Sequence, residues 1–143
     1  MIKIISGRFK GRKLQDVPNL YVRPTQAVVR KSLMQILEPF NGASVLDLYA
    51  GVGTLGLEAL SRGAGHLTFV ENNNLVLKTL QKNIDLMCKD EDVSIKAMDV
   101  IRFLKMNLKK YDFIIADPPY TKVDYFELKE LIKPFLNKDG TCL

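Results

Sequence analysis

The sequence predicts a doubly wound α/β domain with a mostly parallel sheet, preceded by a small hairpin-and-helix extension. Three observations carry that prediction. From residue 44 onward, short apolar runs alternate with segments of helical periodicity. The connections between them are short, as in right-handed strand–helix–strand crossovers. The first apolar run, Val45-Leu46-Asp47-Leu48, leads through Tyr49 and Ala50 into Gly51-Val52-Gly53-Thr54-Leu55-Gly56. Alternating glycines of this kind carry a first strand into its helix around a nucleotide-like ligand.

The 143 residues, 47% of them apolar, suffice for one domain with a core of its own. No apolar run approaches the roughly 20 residues of a membrane span, and the N-terminus carries no signal-peptide core. Cys88 and Cys142 form no close pair, and with the lone His66 they make no metal-ligand cluster. The expectation is a reduced, cytoplasmic protein without metal or membrane contact. The net charge of +5 is unevenly spread. Residues 1–31 hold Lys3, Arg8, Lys10, Arg12, Lys13, Arg23, Arg30 and Lys31 against Asp16 alone, and the remainder is slightly acidic. A basic arm on a nearly neutral domain fits a polyanionic partner, nucleic acid foremost, or else a solvated face.

Residues 2–17 read as a hairpin, with Ile2, Ile4 and Ile5 as strand formers, Gly7 and Gly11 as turn residues, and Leu14 and Val17 resuming the apolar pattern. Alternation would put the basic residues 8, 10 and 12 on one face of a strand. Arg23-Pro24-Thr25 opens a helix with Thr25 as its N-cap and Val29, Leu33, Ile36 and Leu37 as its buried stripe; Pro39 and Asn41-Gly42 end it. Strands then follow at 44–48, 66–71, 93–98 and 111–116. Helices lie at about 54–61, along Val76, Leu80 and Ile84, along Ile101, Leu104 and Leu108, and over about 125–136. Asp139-Gly140 turns into a fifth strand that stops almost at once. The division expected is 1–40 for the basic extension and 41–143 for the ligand-binding domain.

Within that domain the glycines let the backbone approach a ligand without a Cβ in the way. Alone they fit a nicotinamide dinucleotide as well as a methyl-donor cofactor. Glu71 ends the second strand, 20 residues beyond Gly51, where a carboxylate can accept ribose hydroxyls. Asp99 follows the third strand, either as a partner for an adenine amine, as the cap of the next helix, or as both. Asp117-Pro118-Pro119-Tyr120 follows the strand 111–116. Its two prolines fix φ and offer only carbonyl acceptors. Asp117 and the Pro118 carbonyl can accept the two N–H bonds of an exocyclic amine while Tyr120 stacks on the ring.

That last stretch resembles the (D/N)PP(Y/F) signature of amino-group methyltransferases that use S-adenosylmethionine. A wider pattern is similar to the bacterial small-subunit ribosomal RNA guanine-N2 methyltransferases. It covers residues 4–14, Arg23-Pro24-Thr25, residues 47–64, Phe69-Val70-Glu71 and the Asp117-Pro118-Pro119-Tyr120 box. The resemblance implies a Rossmann-like S-adenosylmethionine methyltransferase fold that continues through further strands beyond Leu143. It assigns Asp47, Tyr49, Ala50, Gly51, Gly53, Glu71 and Asp99 to the cofactor, and Asp117, Pro118 and Tyr120 to the target guanine. Arg8, Lys10, Arg12, Arg23 and Arg30 would grip phosphates of ribosomal RNA, naked or in a small-subunit particle. Where the family usually carries an Asp and a Glu after Arg-Pro-Thr, this chain has Ala27 and Lys31, which makes that helix more basic. The readings competing with it are an adenine-N6 methyltransferase acting on DNA, an NAD-dependent oxidoreductase, and a non-catalytic RNA-binding module.

Overall fold

The computed structural model describes residues 2–17, 27–118 and 124–142. Strands β1 (Ile2–Lys3) and β2 (Lys13–Leu14) form a two-stranded antiparallel ribbon, with Ile2 opposite Leu14. Helix α1 (Ala27–Leu37) leads into the main sheet. There β3 (Ser44–Leu48), α2 (Thr54–Ser61), β4 (His66–Glu71), α3 (Asn74–Met87), β5 (Val93–Ala97), α4 (Val100–Met106), β6 (Tyr111–Ala116), α5 (Tyr125–Ile132) and β7 (Leu136–Cys142) follow in turn. A single 3₁₀ turn, Lys133–Phe135, joins α5 to β7. The five strands run parallel in the order β5-β4-β3-β6-β7. The order reverses at β3, and in a doubly wound sheet the ligand crevice opens beyond the carboxyl end of such a strand. The register sets the level of that edge, because Leu48 pairs with Val70 on one side and Ala116 on the other. Tyr49, Glu71 and Asp117 therefore leave the sheet side by side.

Two apolar layers enclose the sheet. On one face Val45, Leu67, Phe69 and Ile115 meet Leu57 and Leu60 of α2, Leu80 and Ile84 of α3, Met34 and Leu37 of α1, and Ile4, Phe9 and Leu14 of the hairpin. Residues from both sides of position 40 thus fill one core. On the other face Leu46, Leu48, Val70 and Ile114 meet Val100, Phe103 and Leu104 of α4 and Leu128 and Ile132 of α5. Each fully buried aliphatic side chain contributes on the order of 1.5–3 kcal/mol. No helix among the described residues is long and apolar enough to cross a membrane.

Four expectations are corrected. Residues 8–11 form the hairpin's turn and not a strand, so Arg8, Lys10 and Arg12 share no strand face. Gly7, at φ 90°, lets that turn sit directly on the carbonyl of Ser61, where a Cβ would come within 2.1 Å. Helix α1 faces the core with Arg30, Met34 and Leu37, and Ile36 is 73% exposed. The stripe is rotated because a buried carboxylate on α2 draws Arg30 inward. Helix α4 ends at Asn107, and Leu108 lies exposed beyond it. Strand β7 begins at Leu136, before Asp139-Gly140. Its pairing with β6 jumps from Tyr111–Leu136 to Phe113–Thr141, so the expected turn is an irregularity inside the strand, a place where a glycine is tolerated. Thr25 lies outside the described residues.

Candidate active site

The glycine loop is held from β3, β4 and α3. Tyr49 leaves β3 at φ 56°, a left-handed conformation that costs a non-glycine residue roughly 1–2 kcal/mol and is met at ligand sites. Ala50 N–H donates to the Val70 carbonyl at 3.1 Å. Gly51 N–H donates to Glu71 Oε1 at 2.9 Å. The Val52 carbonyl accepts from Asn83 Nδ2 at 2.9 Å. Gly53 turns into α2 at φ 94°, and a Cβ there would meet Leu80 Cδ1 at 2.7 Å. Gly56 N–H donates to Asp47 Oδ2 at 3.0 Å, and a Cβ at Gly56 would lie 2.4 Å from the Phe69 ring.

The three glycines thus do different work. Gly53 and Gly56 admit α3 and the Phe69 ring from inside the protein. A Cβ added at Gly51, at φ 60°, meets nothing within 4 Å. Of the three, Gly51 is the one with open space beside its Cα, its N–H being held by Glu71.

Around it stand the carboxylates. Glu71 Oε2 accepts the N–H groups of Asn72 and Asn73, both at 3.0 Å, so three backbone donors fix this carboxylate at the strand end. Asn73 then caps α3, its side chain accepting from Leu75 and Val76 N–H. Asp99 is exposed and caps α4 through Arg102 N–H at 3.1 Å, which realises the capping half of its expected role. Together with burial, which acts more strongly, its charge raises the Tyr49 hydroxyl pKa. Asp117 is exposed and Pro118 half-buried at the end of β6.

Asp47 departs from its expected role. It is buried beneath the loop, where it holds the third N–H of α2 in place of a side-chain cap. Burial pushes its carboxyl well above the usual range. The Gly56 N–H opposes that rise, and the nearby charges of Asp117 and Glu71 add to it. Asp47 braces the loop from below.

The basic residues also separate. Arg30 is 3% exposed, its Nη2 donating to the Lys3 carbonyl at 2.7 Å and its Nε lying 3.6 Å from Glu58. It is a structural cation and takes no phosphate. Arg8 and Arg12 both lie over the Phe9 ring, 4.7 Å from its centroid. Arg8 also pairs with Glu91, and Arg12 Nη1 donates to the Met87 carbonyl at the far end of α3. Arg12 thereby anchors the basic tip at the C-terminal end of α3, about one helical turn beyond the Asn83 that holds the glycine loop. Arg23, Pro119 and Tyr120 lie outside the described residues.

Two residues of consequence were missed at the level of sequence. Asn83 interrupts the apolar stripe of α3 between Leu80 and Ile84, a lone amide on a buried face that signals a backbone contact. Glu58, in the middle of an otherwise buried α2, is the same kind of signal.

Comparison with known proteins places this geometry. The family model described as Conserved hypothetical protein 95 matches residues 2–143. Ribosomal RNA small subunit methyltransferase D of Haemophilus influenzae is 36% identical over 133 residues, covering 90% of this chain and 67% of its own. The Escherichia coli protein of the same name is 35% identical over 122 residues, covering 85% of this chain and 61% of its own. Among solved structures, the Escherichia coli protein described as "Putative methyltransferase yhhF" superimposes with a TM-score of 0.83 at 34% identity, over 99% of this chain and 75% of that one. The fold is the Rossmann-like methyltransferase fold.

Proposed function

The chain belongs to the family described as Conserved hypothetical protein 95, and from that membership we propose that it methylates the exocyclic N2 amine of a guanine in small-subunit ribosomal RNA, using S-adenosylmethionine. The observation that carries this reading is the open space beside Gly51, flanked at one level of the sheet by Glu71 and Asp117. The arrangement suits a cationic, nucleoside-containing cofactor, because Gly51 brings no side chain and two acidic residues leave the sheet at its level.

Glu71 would hold the ribose, the stretch Tyr49-Ala50-Gly51 the cofactor's flank, and Asp99 the adenine edge. S-adenosylmethionine supplies a methyl group already activated on a sulfonium, so the protein's work is mainly alignment. The guanine amine is a poor nucleophile because its lone pair is delocalised into the ring. Asp117 and the Pro118 carbonyl would accept its two N–H bonds, favouring a more tetrahedral nitrogen and stabilising the charge that develops on it. Asp117 need not act as a strong base, since the proton can leave after the methyl has moved. Tyr120 would stack on the extruded base.

The basic tip adds a geometric requirement. Arg8, Lys10 and Arg12, gathered at the hairpin turn beside the C-terminal end of α3, would meet phosphates outside the pocket for the target base, so a structured RNA should bind better than an isolated nucleotide. The relatives are named as ribosomal RNA methyltransferases, so nothing favours a DNA adenine or nicotinamide reading. Asp117→Ala tests the assignment. Methyl transfer should fall at least about a hundredfold, as for lost transition-state donors and acceptors, while RNA affinity holds. Undiminished turnover in that variant would refute the role of Asp117.

A further inference from the structure

We propose that Asn83 is a positioning residue of the cofactor site, and that through it the N-terminal arm and the glycine loop form one binding unit. The inference rests on the S-adenosylmethionine reading above and deepens it. Asn83 is 1% exposed on the inner stripe of α3. Its Oδ1 accepts from Gln15 N–H at 2.8 Å, and its Nδ2 donates to the Gln15 carbonyl at 3.1 Å and to the Val52 carbonyl at 2.9 Å. The three partners fix the orientation of the amide, because an N–H must face the oxygen and two carbonyls must face the nitrogen. One arm residue is thus held by both backbone groups, and the same side chain holds the loop.

Few other side chains fill this role. Asp would set carboxylate lone pairs against two carbonyls, Ser offers a single hydroxyl, and Gln is one methylene longer. An apolar residue would suit the core but would release the loop.

The contact is also enclosed. Val52 is buried against Val17 of the arm and Val76 of α3, with Ile2 alongside. Glu71 fixes the Gly51 N–H and Asn83 fixes the Val52 carbonyl, so the stretch facing the ligand is gripped at both ends. A loop freed at one end populates the binding-competent form only part of the time, and apparent affinity falls by that fraction. Because Gln15 shares the clamp, cofactor binding and the order of residues 14–17 each favour the other.

Calorimetry of S-adenosylmethionine on the full chain tests this. With Asn83→Leu and Asn83→Asp, Kd should rise about tenfold or more while far-UV circular dichroism is kept. Gln81→Ala, on the solvent side of the same helix, should stay within about twofold of the parent. Folded Asn83 variants that bind like the parent would overturn the inference. If the variants do not fold, hydrogen exchange on the unaltered chain decides: the Gln15 amide should exchange more slowly when cofactor is added, and an unchanged rate overturns the coupling. A parent chain that binds no S-adenosylmethionine fails at the first titration, before any variant, and removes the functional reading together with this inference.

Discussion

Replacing Glu58 by Ala should be among the most damaging single changes in this chain. The Glu58 carboxylate is fully buried. It accepts Ile5 N–H at 2.8 Å, Ser6 N–H at 3.1 Å and Arg62 Nε at 3.0 Å, with Arg30 Nε 3.6 Å away. The variant leaves the buried Arg30 guanidinium without a counter-charge, leaves Arg62 only its pair with Glu38, and deprives two arm N–H groups of their acceptor. Breaking a buried ion pair by removing one partner costs about 3–5 kcal/mol. Unpaired amides would add roughly 1–3 kcal/mol each if they stayed dry, but an arm that lifts away regains water and limits that cost. The expected loss is therefore about 4 kcal/mol, out of about 5–15 for a domain of this kind. At roughly 3 °C per kcal/mol, Tm should drop by about 12 °C. Urea denaturation followed by circular dichroism measures it as a lower midpoint. A loss under about 1 kcal/mol would show that the desolvation of these charges already cancels their attraction, and would refute the view that Glu58 clips the arm to α2.

Two glycines separate folding from binding. Gly56→Ala forces a Cβ against the Phe69 ring and should cost about 1–3 kcal/mol in urea melts. Gly51→Ala meets open space and only its φ of 60° opposes it, so S-adenosylmethionine affinity by calorimetry should fall by more than stability does; equal losses would contradict the open-space argument. The Asp47 carboxyl gives a pH test. Its folded pKa is raised, so its contribution to stability is complete below the unfolded value near about 4 and is lost as pH rises toward the folded value. Asp47→Asn keeps an acceptor for Gly56 N–H without an ionisable group. Its stability relative to the parent should therefore grow as pH rises above about 4, and parallel curves would refute a raised Asp47 pKa.

The parts of the fold that could be read from the sequence are those set by neighbours in the chain. Strands 44–48, 66–71 and 111–116 are apolar runs of the length a buried parallel strand needs, and they appear where expected. What stayed hidden depends on partners far apart. Arg30 turns inward because Glu58 lies 28 positions away, and no periodicity within α1 reports that. The alternation of Arg8, Lys10 and Arg12 suggested a strand, but Gly7 and Gly11, both at positive φ, bend those residues into a turn against α2. In the site, the motif identified which residues gather at the sheet edge, not how they divide their tasks. Asp47 lies in the same motif as Gly51, yet it braces the loop from beneath. Asn83 lies outside every motif because its work is done on backbone atoms, whose identity leaves no trace in the residues they belong to.

The most direct test of the central claim is nucleoside mass spectrometry after the chain and methyl-labelled S-adenosylmethionine are incubated with unmodified small-subunit ribosomal RNA or particles. The account predicts label in N2-methylguanosine. Label confined to another nucleoside, or none transferred by a chain that binds the cofactor, would contradict it.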